Sequence, residues 1–186
     1  MRETDSRIRI IGGIWRGRKL QFLPSVGLRP TSDRVRETLV NWLRDDLPGA
    51  VCLDLFAGSG ALSFEALSRG AAKAFLVESS PKVALQLRAQ VSTFNANAEV
   101  ICQDALGFLA SAPPFPVQIH FLDPPFQQGL SIVALEHLAH YGWMTNSQAI
   151  YIETERDHKP YFAPAGWEIH RTMQTQQVYC CLLRPK

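Results

Sequence analysis

A chain of 186 residues, 46% hydrophobic and 19% charged, can bury the core of one domain and is too apolar for a disordered one. No apolar run is long enough to span a bilayer, and the opening MRETDSRIRI lacks the apolar stretch of a signal peptide, so a cytoplasmic protein without membrane attachment is expected. The net charge of +2 is unevenly placed: residues 1–36 carry nine Lys or Arg against three acids, and a basic end on a slightly acidic body suits a polyanion partner.

Residues 7–22, RIRIIGGIWRGRKLQF, read as a β-hairpin. Ile8, Ile10, Ile14, Leu20 and Phe22 fit alternating positions, with a turn expected near Arg16-Gly17-Arg18. Gly12-Gly13 breaks the alternation and suggests a bulge or a close backbone approach. A polar connector, LPSVGLRPTS, follows. The next stretch, DRVRETLVNWLRD, reads as a helix capped by Thr31 or Ser32, with Val35, Leu39, Trp42 and Leu43 on its apolar face.

From residue 51 strands and helices alternate: VCLDLF, GALSFEALSRG, AFLVE, residues 81–94, AEVICQD with a short helical segment, IHFLDPP, residues 129–141 and AIYIETE. Two further strands, near 166–174 and 177–184, are joined by TQQ and read as an antiparallel pair. The alternation implies an α/β fold around a mostly parallel sheet. The connection 156–165, with Pro160 and Pro164, is too short and broken for a full helix. The cysteines at 52, 102, 180 and 181 sit in apolar runs without a Cys-x-x-Cys pair and read as reduced core thiols. The five histidines show no ligand spacing, so no metal is expected.

LDLFAGSGALSFE (53–65) falls where the first strand of the alternating region turns into a helix. Gly58 and Gly60 allow a tight turn and a close approach to a ligand at the carboxyl edge of the sheet. The dinucleotide fingerprint wants a glycine at position 63, which here is Ser63. Asp54 is an acid inside an apolar strand, costly to bury unless it is paired or faces a polar ligand. Glu78 ends the second strand of this region, 18 positions after Gly60, where an acid can bind ribose hydroxyls, and Asp104 ends the third. No lysine follows the glycines, so this is not a phosphate-binding loop. Three acids at one edge suit a cation that carries a ribose and no phosphates, which S-adenosylmethionine is.

Asp123-Pro124-Pro125-Phe126 ends the fourth strand of this region. Neither proline can donate to a ladder, and each fixes its own φ, so the turn is rigid. An exocyclic base amine is a poor nucleophile because its lone pair is delocalised into the ring. Two acceptors aimed at its hydrogens, the Asp123 carboxylate and the Pro124 carbonyl, can draw it toward sp³ character. Phe126 offers a face on which an extruded base can stack.

DLFAGSGALSFEALSRGA, VESS, CQDA and LDPPF resemble the class I S-adenosylmethionine-dependent methyltransferases, in the branch that methylates exocyclic amines. RIIGGIWRGRKL and RPTSDRVRETLVNWL resemble the narrower RsmD family, which methylates the N2 amine of guanine 966 (rRNA numbering) in 16S rRNA. The resemblance runs from about residue 8 to 126 and is looser beyond. It implies a Rossmann-like sheet of seven strands, mostly parallel with an antiparallel last strand, and an N-terminal β-hairpin extension. Residues 1–30 are then the basic hairpin and connector, and 31–186 the methyltransferase domain. Asp54, Phe56, Gly58, Ser59 and Gly60 would line the methionine and ribose side of S-adenosylmethionine. Glu78 would bind the ribose hydroxyls, and Asp104 with Ala105 would sit near the adenine. Asp123, Pro124 and Phe126 would hold the target amine. Arg16, Arg18 and Lys19 of the hairpin would grip RNA. Arg29, Thr31 and Arg34 lie in the family's N-terminal motif and are assigned to RNA or cofactor contact. The implied partner is 16S rRNA in the small ribosomal subunit, met by a monomer.

Three other readings compete. An adenine-N6 methyltransferase acting on DNA or RNA shares the D-P-P-F chemistry, but the chain shows no obvious target-recognition domain. An NAD-dependent oxidoreductase is opposed by Ser63 and by the lack of an obvious hydride-transfer histidine or tyrosine. A non-catalytic RNA-binding protein is opposed by the intact acid and aromatic of D-P-P-F.

Overall fold

The computed structural model describes residues 6–22, 32–126, 129–157 and 163–186. Strands β1 (Ser6–Arg9) and β2 (Lys19–Phe22) pair antiparallel, and a 3₁₀ turn over Gly13–Trp15 lies between them. Helix α1 (Asp33–Trp42) follows, then β3 (Val51–Asp54), α2 (Ala61–Ser68), β4 (Lys73–Glu78), α3 (Pro81–Phe94), β5 (Ala98–Cys102) and α4 (Ala105–Leu109). The chain continues through β6 (Ile119–Leu122), α5 (Leu130–His140), β7 (Ala149–Glu155), β8 (Trp167–Gln174) and β9 (Val178–Pro185).

Seven strands form one sheet in the order β5-β4-β3-β6-β7-β9-β8. The first five are parallel, and β9 inserts antiparallel between β7 and β8. This is the expected seven-stranded sheet, with the last strand in sequence as the reversed one. The order turns outward in both directions from β3 and β6, which makes the carboxyl ends of these two neighbours the topological switch point, the usual ligand position in such sheets. Both faces of the sheet are covered, which is why its central strands are apolar on both sides. The hairpin, α1, α2 and α3 pack on one face and α4 and α5 on the other.

Helix α1 begins at Ser32, whose hydroxyl accepts from the Val35 amide. Thr31, the other candidate cap, lies outside the described residues. Val35, Leu39 and Leu43 are buried as expected and Trp42 is half-buried, but Val40 and the charged Arg36 also face the core. Among the thiols, Cys52, Cys180 and Cys181 are buried. Cys102, expected in the core, is exposed, because β5 is the edge strand.

The hairpin differs from its expected form in its connection. Ile10 is fully buried and bonds across the loop, its N–H to the Arg18 carbonyl and its carbonyl to the Gly17 N–H, but the chain bulges out between them. Ile14, expected to alternate inward, is instead 80% exposed at the tip. The reason is contact with α2. Gly13 has φ +76°, and a Cβ there would stand 1.8 Å from the Ser68 carbonyl oxygen. Ser68 Oγ donates to the Gly12 carbonyl and accepts from the Trp15 N–H, while Glu65 Oε1 accepts from the Ile11 N–H. The Arg36 guanidinium reaches the same Glu65 at 3.3 Å, and both side chains are fully buried. Arg36 also donates to the Arg9 carbonyl and to Asp33. The close approach suggested by Gly12-Gly13 is therefore the docking of the hairpin onto the end of α2.

Candidate active site

The first part of the site is the turn from β3 into α2. Gly58 and Gly60 have φ of +50° and +78°, a region that L-residues with a Cβ avoid. Glu78, at the end of β4, braces this turn: its Oε2 accepts from the Gly58 N–H at 3.0 Å and its Oε1 from the Ser80 N–H at 2.8 Å. Each oxygen keeps a lone pair for another donor. Phe56 is half-buried, and Ser59 is buried with its Oγ accepting from the Ala61 N–H.

Asp54 is the last residue of β3 and is 2% exposed. Its Oδ2 accepts from Ser63 Oγ at 2.8 Å, whereas its Oδ1 is buried with no hydrogen-bond partner among the described residues. Ser63 thus occupies the fingerprint's last glycine position and uses its hydroxyl to hold the acid. Burial raises the Asp54 carboxyl to about 7; the Ser63 hydroxyl and the Phe56 backbone N–H oppose the shift, and the charges of Asp123 and Glu78 add to it. A buried carboxylate with one oxygen unengaged beside a glycine turn can accept from a cationic ligand.

Asp104 is exposed and caps α4, its Oδ2 accepting from the Gly107 N–H at 2.8 Å, while Ala105 is buried. It stands two residues beyond the end of β5, and β4 and β5 pair with Glu78 opposite Cys102. Asp54 and Glu78 therefore end their strands, and Asp104 comes to the same edge through the following cap.

The second part is the turn after β6. In the β3–β6 pairing Asp54 lies opposite Phe121, so Asp123 emerges on the strand beside Asp54, one pleat further on. Asp123 is half-buried, Pro124 buried and Phe126 half-buried. A cavity of about 300 Å³ opens against Pro124, Pro125 and Phe126, bordered by the first turn of α5 and by Glu153–Glu155 of β7.

The sequence reading missed Glu153 and Tyr151. Both are buried on β7, and the Tyr151 hydroxyl donates to Glu153 Oε2 at 2.9 Å. The signal was present as an acid in the apolar strand AIYIETE, the same signal that marked Asp54.

The basic residues divide. Arg16 and Lys19 are exposed on the hairpin. Arg18 is exposed too, but its guanidinium lies 3.8 Å from the centre of the Phe94 ring and donates to the Thr93 carbonyl, which ties the hairpin to α3. Arg34 is exposed on α1, and Arg29 and Thr31 lie outside the described residues. Among the described residues no group of three or more His, Cys, Asp or Glu is placed to hold a metal, and no helix is long and apolar enough to cross a membrane.

A parallel sheet that brings a glycine turn, two strand-end acids and a D-P-P-F turn to the carboxyl ends of neighbouring strands has the plan of a class I methyltransferase. Residues 8–184 match the protein family described as Conserved hypothetical protein 95. The chain is 49% identical over 175 residues to ribosomal RNA small subunit methyltransferase D of Escherichia coli K12, covering 94% of this chain and 88% of that one. It is 46% identical to the protein of the same name from Haemophilus influenzae, covering 92% and 91%. The solved structure of the Escherichia coli methyltransferase yhhF superposes with a TM-score of 0.87 at 44% identity, over 97% of this chain and 99% of that one. The chain belongs to this family, the one that the N-terminal motifs resembled.

Proposed function

We propose that this protein transfers a methyl group from S-adenosylmethionine to the exocyclic N2 amine of a guanine in 16S rRNA, guanine 966 in rRNA numbering, within the small ribosomal subunit. The observation that carries the reading is the adjacency of two sites on neighbouring strands: the glycine turn with the half-satisfied Asp54, and the D-P-P-F turn with its cavity. The relatives' printed names support ribosomal RNA of the small subunit as the substrate.

The residues present fit the donor. Asp54 Oδ1 lacks a partner and can take the amine of the methionine portion. Glu78 has lone pairs left for the ribose hydroxyls, and the Gly58–Gly60 turn carries no Cβ at either glycine to hold a ligand away. Asp104 and Ala105 border the adenine side. S-adenosylmethionine, when bound, supplies a methyl group made electrophilic by its sulfonium.

The protein's own part is to present the amine. Phe126 stacks on the extruded base, which excludes water from one face. The Asp123 carboxylate and the Pro124 carbonyl accept the two N2 hydrogens and turn the lone pair toward the neighbouring site. As the amine gains positive charge, the attraction to Asp123 grows, so Asp123 favours the transition state over the ground state. Arg16 and Lys19 hold the RNA backbone as point charges, with Arg29, Thr31 and Arg34 on the same reading at the RNA or cofactor side.

The test is incubation with labelled methyl donor and unmethylated small subunits, followed by identification of the modified nucleoside. N2-methylguanosine at position 966 is expected. N6-methyladenosine would select the adenine alternative, and no incorporation would leave a non-catalytic RNA-binding protein.

A further inference from the structure

Glu153 takes no part in the mechanism above, yet it lies beside its central residue. In the parallel pairing of β6 with β7, Phe121 stands opposite Tyr151 and Leu122 opposite Ile152. One residue further on, Asp123 and Glu153 come side by side on the same face of neighbouring strands, which run about 4.8 Å apart. Glu153 is 4% exposed, whereas Asp123 is half-buried. The groups packed around Glu153 are Asp123 just after β6, Tyr151 on its own strand and Cys180, which faces it across the antiparallel β7–β9 pairing. Asp54, one strand beyond, feels the charge of Asp123 as well.

Two carboxylates this close cannot both be charged cheaply, and the more deeply buried one is the one that keeps a proton. Tyr151 donates to Glu153 Oε2, which leaves the other oxygen to carry that proton. Burial pushes the Glu153 carboxyl up to about 8, the Asp123 charge adds to the rise, and the Tyr151 hydrogen bond opposes it.

We infer that Glu153, in its neutral acid form, is a positioning residue that fixes the orientation and the charged state of Asp123 during methyl transfer. It acts through Asp123. The inference rests on the methyl-transfer reading of the D-P-P-F turn. Below the titration of Glu153, the pair holds one proton and one negative charge, and that charge lies on Asp123, where the developing ammonium needs it. Above it, two like charges in adjacent register repel, and Asp123 is driven from its place.

The test compares wild type, Glu153→Gln and Glu153→Ala in single-turnover methylation from pH 6 to 9, with saturating substrate. Gln copies the neutral acid: its carbonyl can accept from Tyr151 and its amide can donate. Glu153→Ala should lower the rate at pH 7 by about tenfold or more, a loss typical of a misplaced reacting group, and Glu153→Gln should restore most of it. The wild-type rate should fall above pH 8, and the Gln variant should not show that fall. Superimposable wild-type and Gln profiles, or Gln as impaired as Ala at pH 7, would overturn the inference. Thermal melting supplies a readout that needs no activity. A Glu raised in the folded state loses stability as pH rises from its unfolded value toward its folded one. The wild-type Tm should therefore drop against that of Glu153→Gln between pH 5 and 8, and run parallel above. A constant difference over that range would refute the neutral acid even if no RNA substrate were methylated, whereas a drop without methylation by wild type would count against the methyl-transfer reading alone.

Discussion

Asp54 offers a direct measure of whether the glycine turn receives a cation. Its carboxyl is raised to about 7 by burial, and its Oδ1 meets no hydrogen-bond partner among the described residues. A ligand ammonium placed there binds the carboxylate and not the acid. With half-ionisation at about pH 7, the carboxylate is about one-tenth populated at pH 6 and about nine-tenths at pH 8, so affinity should rise about tenfold over that interval through this group. At pH 6 binding should release close to one proton from Asp54. The assay is titration calorimetry with S-adenosylmethionine in two buffers of different ionisation enthalpy, repeated with Asp54→Asn so that the ligand's own titration can be subtracted. Asn keeps an oxygen for Ser63 but has no proton to release. The ligand-free protein gives the companion measurement. A carboxyl raised in the folded state costs stability as pH climbs from about 4 to 7, with a ceiling of about 4 kcal/mol for a shift of about three units. Asp54→Asn should accordingly be more stable than wild type at pH 8 and should lose that advantage toward pH 4. If wild type and Asp54→Asn release the same number of protons and share one pH dependence, the carboxylate does not meet the cation and the orientation proposed for the donor is wrong.

Asp123→Asn keeps an acceptor but removes the charge, and Asp123→Ala removes both, so single-turnover rates should fall in the order wild type, Asn, Ala with cofactor affinity little changed; Phe126→Ala should cost about 1–3 kcal/mol of stacking, read as weaker substrate binding. Glu78→Ala should weaken S-adenosylmethionine binding by more than the roughly 1.5–3 kcal/mol of charge-assisted hydrogen bonds to the ribose, because it also strips the acceptor from the Gly58 N–H; Glu78→Gln, measured alongside by calorimetry, should recover part of that loss, and an indifferent Glu78→Ala would reject the ribose assignment. Neutralising Arg16 and Lys19 should lower the dependence of RNA affinity on salt by about 0.7–0.9 for each phosphate left without its cation, while Arg18, engaged with Phe94, should contribute less to the slope and more to stability. An unchanged slope in the double variant would remove the hairpin from the RNA-binding surface.

The strands and the two turns of the site were legible because each rests on a local code. Apolar runs ended by acids mark the parallel strands; Gly58 and Gly60 permit the positive φ a tight turn needs, and Pro124 and Pro125 fix their own φ. Asp54 and Glu78 could be singled out because a charge at the end of an apolar strand demands a reason. What escaped depends on which strands become neighbours. Glu153 gains its meaning from the pairing of β6 with β7, and sequence spacing alone does not reveal that Asp123 lies beside it. Arg36 shows the same limit. It read as one more charge in a basic segment, yet it is fully buried because Glu65, 29 residues away, faces it from another helix. Ile14 was misplaced for a related reason, since strand alternation says nothing of a loop pulled onto α2 by hydrogen bonds.

Helix α2 has one further consequence. The glycine turn opens it, and the sockets for the hairpin, Glu65 and Ser68, lie in its second half. All eight of its residues are buried, so it cannot tilt without disturbing the core. At 1.5 Å per residue it spans about 12 Å. On the proposed reading it would work as a gauge block: whatever the exposed tip of the hairpin grips would be held at a set distance from the glycine turn. Truncating the hairpin would remove one end of that gauge and leave the buried Glu65 short of the Ile11 partner, which is why neutralising single exposed side chains is the cleaner experiment. A substrate whose backbone and target base do not match the spacing could still stick to the basic tip, but its base would not reach Asp123. Selection among RNAs would then be made by length as well as by charge.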